Sequence, residues 1–185
     1  MIRFFDVLIS IILLIIFLPL IITIALIILL IYGRPIIYSQ LRVGYKGREF
    51  NILKFRTMIN NKLLDENLRV TSFGKVLRKT SLDELPQFIN VLKKEMSIVG
   101  PRPLPSQIEK NINRDYRLKR RNILPGLTGF SQINYTGKHR KLHEKTELDI
   151  LLVNNYTLHN YFKILLKTPI VLLRRLIKNK TSIIK

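Results

Sequence analysis

The stretch Arg78-Lys-Thr-Ser81-Leu-Asp83-Glu84-Leu-Pro86-Gln-Phe-Ile-Asn90, continued through Val91 to Val99 and closed by Gly100-Pro-Arg-Pro103, governs how the chain is read. It sets two adjacent carboxylates, Asp83 and Glu84, in a sequence that carries 32 Lys and Arg against 12 Asp and Glu. Ser81-Leu-Asp-Glu84 has the form of a capping box, with Ser81 closing a helix N-terminus and Glu84 reaching back. Acidic residues in a first turn suit the helix dipole. Leu82, Leu85, Ile89 and Leu92 then recur at helical spacing and would face a core. Pro86 is awkward beyond a first turn because it removes one hydrogen bond, so the helix is expected to start a residue or two later.

The same geometry also suits chemistry. A helix N-terminus aims N–H groups and positive potential outward, which favours a phosphate. A carboxylate beside that phosphate can hold a divalent cation or attack phosphorus to form an acyl phosphate. Arg78 before the pair and Arg102 after it have the fork geometry that grips phosphate oxygens. Neighbouring carboxylates also bias each other's protonation, which helps separate a nucleophile from a base. Taken alone, the stretch fits both a structural cap and a phosphate site.

Working outward, the 185 residues suffice for one modest domain and an anchor, and the net charge of +20 calls for an anionic partner. At 47% hydrophobic residues the chain is no disordered basic tail, and without Cys it has neither disulfides nor thiolate metal sites. Val7 to Ile31 holds no charged residue. As a straight helix it would be roughly 37 Å long, enough to cross a bilayer core. Pro19, in the middle of the run, equally suits a re-entrant hairpin that enters and leaves by one face. Charges on both flanks (Arg3 and Asp6, then Arg34 and Arg42) do not separate these alternatives.

Ile36 to Gln40 and Glu49 to Phe55 read as two strands of a β-hairpin with Gly44 and Gly47 between them. Lys54 and Arg56 stand on alternate residues and project to one side. Gln107 to Asn122 is basic, with a solvated helix face as its default reading. Pro125, Gly126 and Gly129 mark tight turns where backbone can approach a ligand. His139, His143 and Glu147 recur every four residues, but the surrounding cations argue against a metal there. Tyr156 to Lys178 alternates apolar residues with Lys and Arg, a pattern suited to the headgroup region of an anionic membrane. No phosphate loop, dinucleotide fingerprint, RNA-binding aromatic signature or zinc-finger spacing occurs, so a phosphate enzyme here would follow none of those designs, and nucleic acid is an expected partner only under the competing reading given below.

Five motifs in order carry a resemblance: Tyr38-Ser-Gln-Leu-Arg-Val-Gly44, Lys54-Phe-Arg-Thr-Met58, Ser81-Leu-Asp-Glu-Leu-Pro-Gln87, Ser97-Ile-Val-Gly-Pro-Arg-Pro103, and Pro125-Gly-Leu-Thr-Gly129 with Gln132 and Asn134. On these the chain resembles the monotopic bacterial phosphoglycosyl transferases of the bacterial sugar transferase family, as a small member running nearly end to end. The resemblance implies a mostly helical α+β fold. Its parts would be a re-entrant membrane helix-hairpin over 1–33 and a cytoplasmic catalytic domain over 34–185, with a small β-hairpin and amphipathic interfacial helices.

The resemblance also implies transfer of a sugar 1-phosphate from a UDP-sugar to undecaprenyl phosphate, releasing UMP, at the cytoplasmic face of the bacterial inner membrane. That step would begin a glycoprotein, capsule, exopolysaccharide or O-antigen. Asp83 would be the nucleophile and Glu84 would assist with the metal or accept a proton, with Mg²⁺ at the pair. Lys54, Arg56, Arg78, Pro101, Arg102, Pro103 and Gln132 would serve the phosphates and the nucleotide. Membrane lipid is an expected partner, and the large amphipathic surface makes a homodimer contact a candidate. Leu18, Leu124 and Phe130 depart from the family's usual Ser, Arg and Trp, and the loop Tyr135 to Lys138 is longer than usual, with Lys138 a candidate replacement cation. The competing expectation is a non-catalytic, membrane-tethered module that binds anionic lipid or nucleic acid through its charge and has no need of Asp83.

Overall fold

The uncharged N-terminal run folds as two helices, α1 (Ile2–Ile16) and α2 (Leu18–Tyr32), bent by 63° where they meet at Phe17. The coordinates are a computed structural model that describes residues 1–60, 63, 65–134 and 141–181, with backbone alone at 66–67 and 178–181. Pro19 lies in the first turn of α2, where its missing N–H leaves no bond unmade. The straight crossing helix is therefore not formed. Among the described residues no single helix is long and apolar enough to cross a membrane, and α1 and α2 meet the criterion only as a bent pair. At 15 residues each, they are about 22 Å long. Near the break, Thr23 Oγ1 donates to the Pro19 carbonyl at 2.9 Å.

Strand β1 (Ile37–Val43) pairs antiparallel with β2 (Glu49–Phe55), in a register that sets Tyr38 opposite Lys54. β1 runs on to Val43, beyond the expected Gln40, because β2 pairs with it as far as Glu49, and the Val43 amide further donates to the Leu104 carbonyl at 3.0 Å. The reversal between the strands uses Gly47 at φ +80°, a conformation that favours glycine. Phe50 and Ile52 alternate into the core. Lys54 continues that row, so strand period alone directs it inward.

Next come α3 (Glu66–Arg69) and α4 (Ser72–Thr80), the latter capped by the Thr71 side chain, which accepts from the Gly74 amide at 3.0 Å. The capping box does not form. Ser81 instead ends α4 in the left-handed region, at φ +60°, and makes no side-chain cap bond. Leu82 to Glu84 is a single 3-10 turn, and α5 (Gln87–Leu92) starts only after Pro86. A helix begun at Leu82 would have met Pro86 in its second turn, where a bond is lost and the ring clashes.

Strand β3 (Ser97–Val99) lies parallel to β4 (Gly126–Thr128). The pairing requires glycine twice: a Cβ on Gly126 would sit 2.0 Å from the Gly100 nitrogen, and one on Gly100 2.3 Å from the Leu124 carbonyl oxygen. The close approach expected at Gly126 is thus to a second backbone.

Between these strands lie α6 (Ser106–Glu109) and α7 (Arg114–Arg120), and after them α8 (Phe130–Ile133), α9 (Leu142–Asn154) and α10 (Leu158–Thr181). The basic segment is less solvated than its composition implied. Arg120 is buried against Asp149, and Arg121 pairs with Glu109. His143 and Glu147 on α9 are exposed, while His139 and Lys138 lie outside the described residues.

One core joins all parts: Ile28 of α2, Ile52, Leu77, Val91, Met96, Val99, Leu152, Tyr161 and Ile164 are all buried. A polar knot sits beside it. Asp6 of α1 is buried and accepts from Ser97 Oγ at 2.9 Å, the Ile98 amide at 2.9 Å and Tyr161 Oη at 2.8 Å. Arg3, one turn earlier, donates to the carbonyls of Val91, Leu92 and Met96.

Candidate functional site

β1, β2 and the residues after it, α3, α4, the 3-10 turn, the Gly100–Pro103 loop and α10 bring charged groups to a single cleft of about 1170 Å³. Asp83 and Glu84, on the 3-10 turn, are its acids. Its cations are Arg42, Lys54, Arg56, Arg69, Arg78, Arg102 and Arg175. Seven cations around two carboxylates leave a strong positive field, the electrostatic complement of a polyanion.

Lys54 Nζ lies 2.6 Å from Glu84 Oε1 and 4.0 Å from Asp83 Oδ2. Arg102 Nη2 reaches Glu84 Oε1 at 3.5 Å. Arg78 donates from Nε to Thr57 Oγ1 at 2.8 Å, which fixes it behind Asp83. Gly74 makes that placement available, since a Cβ there would lie 2.1 Å from the Thr57 carbonyl oxygen and hold α4 off. Arg56 is tied by the carbonyls of Met58 (2.9 Å) and Arg34 (3.1 Å).

The two acids have opposite electrostatic settings. Burial, and then the neighbouring Glu84 charge, push the Asp83 carboxyl up to about 6, against the pull of Lys54 and Arg78. Burial also acts to raise Glu84, but Arg102 and Lys54 outweigh it and hold that carboxyl below its ordinary value. Arg42 is held below the usual guanidinium range by burial and by the Arg102 charge beside it. Such crowding of like charges marks a place where an anion would relieve repulsion.

Among the described residues no group of three or more His, Cys, Asp or Glu gathers. A cation at the acidic pair would take oxygen ligands from Asp83 and Glu84 and the rest from phosphates and water, a donor set that suits Mg²⁺.

Of the residues singled out in the sequence, Lys54, Arg56, Arg78, Asp83, Glu84, Arg102 and Gln132 all line the cleft. Pro101 and Pro103 do not. Both are buried on the back of their loop, where the Pro101 carbonyl accepts from the Gly126 amide at 2.9 Å. They present Arg102, whose own carbonyl accepts from Arg120 Nη2 at 2.7 Å. Sequence reasoning did not single out Arg69 or Arg175 as lining residues, and Thr128 entered only within the Pro125–Gly129 motif. Arg42 stood in the Tyr38–Gly44 motif and as a charge flanking the apolar run, and was not singled out for the site.

An acidic pair in a cationic cleft is a site suited to a phosphate-bearing ligand. The chain belongs to the bacterial sugar transferase family, whose profile matches residues 1–175. It is 40% identical over 147 residues to the uncharacterized sugar transferase EpsL of Bacillus subtilis (strain 168), covering 74% of this chain and 69% of EpsL. It is 36% identical over 177 residues to the UDP-N-acetylgalactosamine-undecaprenyl-phosphate N-acetylgalactosaminephosphotransferase of Aeromonas hydrophila, covering 90% of this chain and 42% of that protein. It is 35% identical over 180 residues to the UDP-glucose:undecaprenyl-phosphate glucose-1-phosphate transferase of Klebsiella pneumoniae, covering 90% and 38%. The chain thus spans well under half the length of the latter two relatives.

Proposed function

We propose that the protein transfers a sugar 1-phosphate from a UDP-sugar to undecaprenyl phosphate, releasing UMP, as the first membrane step of glycoconjugate synthesis. The observation that carries this is Asp83, buried at the floor of a cleft whose other charged groups, Glu84 apart, are all cations. Relatives whose names specify this reaction with different sugars support it.

A carboxylate oxygen of Asp83 attacks the sugar-bearing phosphorus. The bond from that phosphorus to the UMP oxygen breaks, UMP departs as the leaving group, and an aspartyl phosphosugar remains. An oxygen of the lipid phosphate then attacks the same phosphorus, the aspartyl–phosphorus bond breaks, and the Asp83 carboxylate is restored. Lys54, Arg78 and Arg102 offset the charge of the meeting anions and the departing nucleotide. Glu84, held ionised by Lys54 and Arg102, is a poor base and serves as an electrostatic and metal-holding group. Asp83 and Glu84 would hold Mg²⁺, which when bound lowers the repulsion between phosphate and carboxylate.

In this reading residues 1–33 are a re-entrant anchor and 34–185 the cytoplasmic catalytic part. The support is the 63° bend, the shortness of both helices, and the exposed Ile11, Ile15, Ile16, Leu18 and Ile22 around it. The test is UMP release over a panel of UDP-sugars with undecaprenyl phosphate and Mg²⁺, beside intact-mass spectrometry with donor alone. UMP release and a sugar-phosphate adduct are expected, and both vanish in Asp83→Asn. Undisturbed membrane binding by a chain that never releases UMP would favour the non-catalytic binding module.

A further inference from the structure

Strand β2 pairs with β1 along one edge, and no strand pairs with its other edge among the described residues. A single side chain serves that free edge. Asn90 Nδ2 donates to the Asn51 carbonyl at 2.8 Å, and Asn90 Oδ1 accepts from the Leu53 amide at 3.0 Å. Nδ2 also donates to Glu95 Oε2 at 2.6 Å. A carboxamide offers a donor and an acceptor in one plane, as a peptide group does. Asn90 therefore stands where the backbone of a third strand would stand. A reversed carboxamide would set oxygen against two oxygens and N–H against N–H, so its partners fix its orientation.

Asn90 is fully buried and does not line the cleft. Its own carbonyl accepts from the amides of Glu95 and Met96, at 3.0 and 3.3 Å, so the residue is itself held. Lys54 follows Leu53 directly, and the turn that bears Asp83 and Glu84 leads through Pro86 into α5, which carries Asn90. The carboxamide thus ties the strand of the cation to the helix behind the acids. Apolar packing of Phe50, Ile52 and Phe55 has no preferred direction. A slip of one residue along a strand is about 3.3 Å and turns every side chain to the opposite face. Two opposed bonds to one planar group admit a single register. In that register Lys54 Nζ reaches Glu84 Oε1 at 2.6 Å.

We propose that Asn90 is the positioning residue for Lys54: its carboxamide acts as a one-residue strand on the free edge of β2 and sets where the Lys54 ammonium stands against Glu84 and Asp83. Asn90 acts through Lys54 alone. The kinetic consequence rests on the transfer reaction proposed above, whereas the bracket between α5 and β2 does not.

Amide hydrogen exchange on the full chain reads the bracket without turnover. In Asn90→Ala the Leu53 amide is expected to exchange about tenfold faster or more, while the Gly100 amide, bonded in the other sheet, keeps its protection. Unchanged exchange at Leu53, or equal acceleration at both amides, overturns the proposal. A double-mutant cycle on UMP release is the second arm. Asn90→Ala is expected to lower kcat about tenfold or more in the native background, and by no more than about twofold beside Lys54→Ala. A purely structural loss carries through to both backgrounds, so equal factors overturn the proposal. Glu95→Ala, at a half-buried position, frees only the bond that orients the carboxamide. Its expected fall in kcat is about threefold, again absent beside Lys54→Ala, which keeps the cycle decisive if Asn90→Ala does not fold. A native chain with the expected exchange pattern and no UMP release would sink the reaction and leave the bracket standing.

Discussion

Arg120 Nη2 donates to the Arg102 carbonyl at 2.7 Å while Asp149 Oδ2 holds the same guanidinium at 3.1 Å. Both side chains are buried, and the pair joins α7 to α9 behind the loop that presents Arg102 to Glu84. Removing one partner would strand the other charge away from water. Asp149→Ala is expected to destabilise the fold by about 3–5 kcal/mol, read by thermal unfolding. Arg120→Lys keeps a charge but lacks the fork that serves both acceptors. Its expected signature is a fall in kcat/KM for the UDP-sugar larger than its loss of stability accounts for.

Lys54 is the nearest cation to the acidic pair, at 2.6 Å from Glu84. Lys54→Ala removes the shortest charged contact of Glu84 and one of the two cations that draw the Asp83 carboxyl down. UMP release is expected to fall by about 10²–10³ in kcat. Lys54→Arg should recover part of that loss, since the charge returns with different reach. A variant as active as the native chain would remove Lys54 from the transition state.

Asp83 gives a pH signature of defined sign. Its folded carboxyl is raised from 3.8 to about 6, so the stability linked to its proton is fully present below about pH 4 and is lost as pH rises through about 6. In metal-free buffer, Asp83→Asn is therefore expected to be more stable than the native chain at pH 8, by on the order of 2 kcal/mol. The gain should vanish near pH 4. The nucleophilic role predicts the opposite trend for activity, with UMP release declining toward acid pH as the Asp83 carboxylate takes up a proton. Denaturation at the two pH values and an acid-limb rate profile check the pair of outcomes.

Gly126 stands against Gly100, backbone to backbone, and a Cβ there would lie 2.0 Å from the Gly100 nitrogen. Neither strand can move without releasing the Gly100 amide from the Thr128 carbonyl (2.9 Å) and the Ser97 amide from the Pro125 carbonyl (2.8 Å). Gly126→Ala is expected to cost about 1–3 kcal/mol or more. It should also weaken UMP release, because β3 leads directly into the Arg102 loop. Thermal unfolding and the release assay measure the two effects.

Local pattern made much of this site legible. The strand period put Lys54 and Arg56 on one side, and the Asp83–Glu84 pair stood out against a cationic chain. Ser81 was misread because a capping box and a left-handed helix end draw on similar residues. The deciding factor was Pro86, five residues on, which bars a helix from starting at Leu82. Arg120 and Asp149 are 29 residues apart, so nothing local distinguished that arginine from its solvated neighbours. Arg175 was likewise one cation among several on α10 until the turn of that helix set it in the cleft. Pro101 and Pro103 shared a motif with Arg102, and only the packing of the loop separated presenting residues from the one presented.

The three hydrogen bonds to Asp6 have a mechanical meaning. One carboxylate of the first helix grips strand β3 and helix α10 together, and the residues that follow β3 are Gly100 to Pro103. There is no slack between them, so the loop cannot ride higher or lower than the bent helices do. In the anchored arrangement proposed above, the altitude of Arg102 over the lipid surface is set by the polypeptide itself, and a variant lacking residues 1–33 is expected to lose that ruler along with the proposed tether.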